Sequence, residues 1–240
     1  MLVIFTVSFF VGCGENVENE EVKLDYLSVY SEKSLAEFTP EEWDILDEAK
    51  GRLNITITPT KLMNIEQKSG SEVNISEHLY RNIKLLIDNG NKIIQGATHN
   101  TTRMSGDDCV AKCIVNVAGS FGGNLSLVEV AREIKNRCPN GPGVPSDRVL
   151  EMVNIWLIGT PISTPLTTAS LGGGPSQIIA VVLGTHAVVF RTLNGDTVRV
   201  YDEMLVREDS MSDPNNGIAE IPNDYLSHAI KVTGLSSGGY

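Results

Sequence analysis

Between residues 39 and 50 the apolar positions Trp43, Ile45, Leu46 and Ala49 fall at helical spacing. Thr39-Pro40-Glu41-Glu42 opens this helix with Thr at the N-cap, Pro at the first helical position and Glu at the third. Leu53–Thr60 and Lys61–Gln67 alternate and predict strands. Ser76 caps a helix carrying Leu79, Ile83, Leu86 and Ile87, which Asn89-Gly90 is expected to close. Gly96–Gly106 (GATHNTTRMSG) is polar, bounded by glycine, and reads as a linker.

Past that stretch the texture changes. Asp107–Phe121 is apolar nearly all round, interrupted only by Lys112 and Asn116 before Gly119, and such a helix is buried. Ser126-Leu127-Val128-Glu129 has the form of a capping box and opens a helix to about Arg137. After a Pro/Gly loop (Pro139 to Pro145) a further helix is predicted from Ser146 to about Trp156. Residues 159–175, rich in Thr, Pro and Gly, read as a long surface loop. Three strands follow: Gln177–Leu183, Thr185–Thr192 and Thr197–Tyr201. Helices first and strands afterwards predict an α+β fold. The expected organisation is a small acidic module over 25–95, the linker at 96–106, and a main domain over 107–240.

The hairpin around Asn194-Gly195 carries the most information. A three-residue loop (Leu193-Asn194-Gly195) would pair Thr192 with Asp196. That register puts Val188, Val200, Phe190 and Val198 on one face, and Ala187, Tyr201, Val189, Arg199, Arg191 and Thr197 on the other. A two-residue loop scrambles the split, so the three-residue loop is expected. His186 then lies directly opposite Asp202, within reach of an imidazole–carboxylate hydrogen bond. A carboxylate there fixes the imidazole tautomer and stabilises the imidazolium.

A nucleophile is available. Cys109 falls in the first turn of the buried helix, where unpaired N–H groups and the positive dipole end favour a thiolate. Cys113, one turn deeper, is read as a packing residue or as the disulfide partner of Cys138. No Cys-x-x-Cys pair occurs and the four His are scattered, so no metal site and no cofactor are expected.

Charge and the amino-terminal residues bear on partners and compartment. The chain of 240 residues carries 19 Lys+Arg against 30 Asp+Glu, a net −11, which argues against nucleic acid as a partner. Residues 15–50 hold twelve of these acids against three Lys. Residues 1–12 (MLVIFTVSFFVG) are uncharged and too short for a ~30 Å hydrocarbon core, and suit a secretory signal. Phe10-Val11-Gly12-Cys13 resembles a bacterial lipobox, implying lipidation at Cys13, a tether over 14–24, and an exported protein whose only membrane attachment is that lipid.

The sequence resembles the papain-like cysteine peptidases, and within them the bacteriocin-leader (double-glycine) peptidases. Asp108-Cys109-Val110-Ala111-Lys112-Cys113-Ile114 matches the start of that branch's central helix, and Gly122 to Leu127 its next turn and helix start. THAVVFRTLNGDTVRVYDEM (Thr185–Met204) matches its His–Asp hairpin, including the sixteen-residue step from His to Asp. The likeness covers roughly residues 103–205. It implies a Cys-bearing helix packed on an antiparallel sheet, a Cys109–His186–Asp202 triad, and a peptide or protein substrate. The pattern departs at Val110, where the family has Gly, at Arg103, where it has an oxyanion-binding Gln, and at Glu203, where it has Pro. Without that Gln, oxyanion stabilisation is expected from the Cys109 backbone N–H, with Arg103 and Ser105 as candidate oxyanion or substrate residues. The alternatives are a weak or inactive papain-like binding domain, and a redox or structural pair formed by Cys109 and Cys113.

Overall fold

The computed structural model describes residues 26–30, 35, 38–99, 108–139, 143–206 and 217–237. A short helix α1 (Tyr26–Val29) precedes α2 (Pro40–Lys50), which begins where the sequence places it. The Thr39 N–H donates to Glu42 Oε2 at 2.7 Å, half of the reciprocal cap. The hairpin β1 (Ile55–Ile57) and β2 (Met63–Ile65) leads into α3 (Glu77–His99).

Helix α3 does not close at Asn89-Gly90. It runs 23 residues and takes in the first four positions of the stretch expected to be linker, 96–99. Ile93, Ile94 and Ala97 continue its buried stripe. Asn89 and Gly90 serve the neighbouring strand instead. The Asn89 amide donates to the Ile218 carbonyl at 3.0 Å, and a Cβ at Gly90 would overlap the Glu220 carbonyl oxygen. A glycine that reads as a stop is here a point of close backbone approach.

Next come α4 (Cys109–Ser120), α5 (Leu127–Arg137) and α6 (Val149–Val153), the last preceded by a 3₁₀ turn, Ser146–Arg148. Ser126 is the N-cap residue of α5, but its side chain makes no capping bond. The helix expected to reach Trp156 stops at Val153, because Asn154 turns the chain: its Oδ1 accepts from the Gly159 N–H at 2.8 Å.

The remainder is β3 (Leu157–Ile162), a short helix α7 (Thr168–Leu171), β4 (Gln177–Val182), β5 (His186–Asn194), β6 (Thr197–Tyr201), β7 (Ile218–Pro222) and β8 (Leu226–Leu235). Strand β3 lies partly within the stretch expected to be a surface loop. It is an edge strand paired only with β8, where Pro161 can forgo its missing N–H. The sheet order is β3-β8-β4-β5-β6-β7 and every neighbouring pair is antiparallel. The protein is therefore α+β, with helices packed on an antiparallel sheet.

Both faces of the sheet are covered. Along β4, Ile179 and Val181 face one way, against Ile114 and Val117 of α4 and Met152 of α6. Ile178, Ala180 and Val182 face the other way, in a core shared with Ile93, Ile94 and Ala97 of α3. A third core joins Leu46 of α2 to Leu79, Ile83, Leu86 and Ile87 of α3 and reaches Ile218 of β7. Charges reinforce that junction. Arg199 pairs with Asp47 and lies 4.4 Å from the Trp43 ring centroid, while Lys50 pairs with Glu220. With Arg199 only 4% and Glu220 only 1% exposed, each buried charge requires its partner. Among the described residues, no helix is long and apolar enough to cross a membrane.

Candidate active site

Helix α4 starts at Cys109, with Asp108 as its N-cap residue. It lies across β5 and β4, so its first residue comes to the end of the sheet where β5 begins. That strand opens on His186. His186 Nε2 stands 2.7 Å from Asp202 Oδ2, and the Cys109 thiol lies close enough to the ring to favour its protonated form. The three side chains expected to meet do so, and all are buried: Cys109 is 4%, His186 5% and Asp202 6% exposed.

The hairpin reaches this outcome by a different register. The observed pairs are Asn194 with Thr197, Leu193 with Val198, Thr192 with Arg199, Phe190 with Val200, and Val189 with Tyr201. The loop has two residues, Gly195 and Asp196, and the register shifts between Phe190 and Thr192. The extra residue, Arg191, is a bulge. It compensates the shorter loop, so Val188, Phe190, Val198 and Val200 still share one core. Face alternation alone cannot distinguish a longer loop from a shorter loop plus a bulge. Since Val189 pairs with Tyr201, Asp202 follows level with Val188 and His186 lies diagonal to it, a separation long side chains can bridge.

Asp202 has left the strand and caps the 3₁₀ turn Glu203–Leu205. Its Oδ1 accepts from the Met204 N–H at 3.0 Å, and its own N–H donates to the Gly217 carbonyl at 3.0 Å. The carboxylate is thus held by one oxygen and offers the other to His186. Sequence reading missed the Met204 contact; an Asp beginning a short turn was the available signal.

Burial, the largest influence, works against a charged His186. The hydrogen bond to Asp202, then the neighbouring Cys109 sulfur and the charges of both groups, outweigh it and push the imidazole from 6.5 up to about 10. A folded-state value above the unfolded one stabilises the fold below about pH 6.5, and that contribution is lost as pH rises through about 10. Urea unfolding midpoints should therefore fall between these limits, and fall less in His186→Gln. Parallel curves for the two proteins would contradict the assignment.

Cys113 is also buried. Burial first, then the negative charges of Cys109, Asp202 and Glu203, push its thiol well above its ordinary value, so it remains a thiol. Cys113 and Cys138 are both free and buried, so of the two readings of Cys113 the structure has the packing residue and not the disulfide. Cys138 caps α5 and packs its sulfur 4.0 Å from that of Met152, whereas Cys113 faces a crevice against Ala187, Val189 and Tyr201. That crevice, bordered also by Cys109, Lys112 and Glu203, encloses about 10 Å³, room for about one water. Arg103, Ser105 and Cys13 lie outside the described residues. Among the described residues, no group of three or more His, Cys, Asp or Glu is disposed to hold a metal ion.

No protein-family model matches the chain, and no curated protein matches it by sequence. Its chemistry is read from the geometry alone. A thiol at a helix N-terminus, an imidazole beside it, and a carboxylate bonded to the imidazole have the order of groups that nucleophilic acyl transfer uses.

Proposed function

We propose that this chain is a cysteine peptidase of papain-like fold, acting on a peptide or protein substrate through Cys109, His186 and Asp202. The observation that carries the reading is the buried His186 ring, bonded to Asp202 and beside a cysteine that opens a buried helix. In this mechanism the proton of the Cys109 thiol rests on His186. The sulfur attacks the peptide carbonyl carbon, and the electron pair of the C=O bond moves to oxygen. As that bond re-forms, the C–N bond breaks and His186 gives its proton to the departing amine. A water, deprotonated by His186, then cleaves the thioester and restores the thiol. Asp202 holds the ring throughout. The Cys109 backbone N–H, in the first turn of α4 where the helix itself offers no acceptor, is a donor for the oxyanion, with Arg103 and Ser105 as further candidates. Export and lipid attachment at Cys13 belong to the same proposal and rest on residues 1–13.

A second reading, a papain-like domain that binds without cleaving, draws support from the narrowness of the crevice beside Cys109. Alkylation of Cys109 by iodoacetamide across pH 4–9, followed by peptide mapping, separates the two. The peptidase reading expects rapid labelling that persists at pH 5–6 and disappears in His186→Ala. Labelling that rises only near the ~8.5 of an ordinary thiol, unchanged in His186→Ala, would leave the binding domain.

A further inference from the structure

The turn Leu183-Gly184-Thr185 joins β4 to β5 and delivers His186. Leu183 has φ +49° and Gly184 φ +74°, so both occupy the left-handed region. A leucine rarely adopts that conformation without external support. The support is present on two sides. The Leu183 N–H donates to the Tyr225 carbonyl at 2.9 Å, and the Gly184 N–H donates to Ser227 Oγ at 2.9 Å. These bonds tie the turn to β8 and the residue before it.

The third tie runs the other way. Thr185 is 8% exposed, and its hydroxyl donates to the Ala97 carbonyl at 2.7 Å. Ala97 lies in the last turn of α3, where carbonyls have no partner within the helix. One bond thus satisfies a buried hydroxyl and a terminal helix carbonyl together. The neighbouring members of the site are anchored elsewhere: Asp202 by Met204 and Gly217, Cys109 by α4. On the α3 side, the tie adjoining His186 is the Thr185 hydroxyl.

We infer that Thr185 is a positioning residue for His186, and that α3 is thereby part of the catalytic apparatus. The inference rests on the proposed Cys109–His186–Asp202 reading. If the hydroxyl is lost, the backbone at 185 is freed from α3, and the ring can shift between Asp202 and Cys109. A displacement of about 1 Å at a reacting pair can cost about 10²-fold in rate.

The test uses the full chain and iodoacetamide labelling of Cys109 at pH 5.5, with far-UV circular dichroism of every variant. Thr185→Val and Thr185→Ala remove the hydroxyl, Thr185→Ser retains it, and His186→Ala sets the floor. The expected result is a drop of about 10-fold or more for Val and Ala, with Ser within about twofold of wild type. Val and Ala at wild-type rates, beside a His186→Ala that has lost labelling, would overturn the inference and leave the triad reading intact. Unfolding of both Val and Ala would make Thr185 a general structural residue and also overturn it. A wild-type protein without labelling at pH 5.5 would remove the triad reading, and the positioning role with it.

Discussion

Asp202→Ala is expected to slow Cys109 alkylation at pH 6, and peptide turnover with it, by about 10²-fold or more, the scale of general acid–base assistance. The argument follows from what holds the His186 proton. Burial disfavours the imidazolium, and Asp202 supplies the first compensating bond and charge. Without the carboxylate, burial of the ring is less opposed, Cys109 has a weaker cationic partner, and Nε2–H loses its acceptor. Asp202→Asn should fall between wild type and Ala. Asparagine has one acceptor oxygen for two donors, His186 and the Met204 N–H, and must turn its amide NH₂ toward one of them. Stopped-flow alkylation at pH 6 measures all three proteins, and an Asp202→Ala rate equal to wild type would exclude Asp202 from the site.

Gly90→Ala is expected to destabilise the fold by about 3 kcal/mol, the upper range for inserting one group into packed structure. The added methyl would meet the Glu220 carbonyl oxygen, with Met63 Cε 3.1 Å away. Neither α3 nor β7 can yield cheaply, since one carries the third core and the other pairs with β6. For a chain of this size the loss corresponds to a melting temperature lower by roughly 6–12 °C. Gly96→Ala, in the same helix with nothing within 4 Å of the new methyl, should instead be neutral or slightly stabilising. Thermal melts of the two variants compare a close contact with open space, and similar melting temperatures would refute the close approach.

The elements legible in the sequence were those whose signal is local. The cap at Thr39, the apolar run from Cys109 and the strands flanking Gly195 all depend on neighbours within a few residues. The meeting of Cys109, His186 and Asp202 was legible because two of them belong to one hairpin and the third begins a helix. What escaped the sequence is tertiary. Gly90 has the chemistry of a helix stop, but its reason is β7, more than a hundred residues away. Strand β3 carries Thr and Pro because it is an edge, and nothing within residues 157–162 announces a partner as distant as β8. The Arg191 bulge was invisible because it and the shorter loop cancel in the face pattern. Thr185 looks like an ordinary strand residue until the end of α3 is placed beside it.

Strand β8, the last described strand, is not at a margin of the sheet but sits between β3 and β4. While residues 226–235 remain unsynthesised, β3 has no hydrogen-bonded neighbour and β4 is open along one side. The turn that delivers His186 likewise lacks its bonds to Tyr225 and Ser227. A chain in which β8 has not yet docked therefore lacks the two bonds that hold the turn before His186. Docking of β8 is thus the step that fixes this turn in place, and such long-range pairing forms slowly.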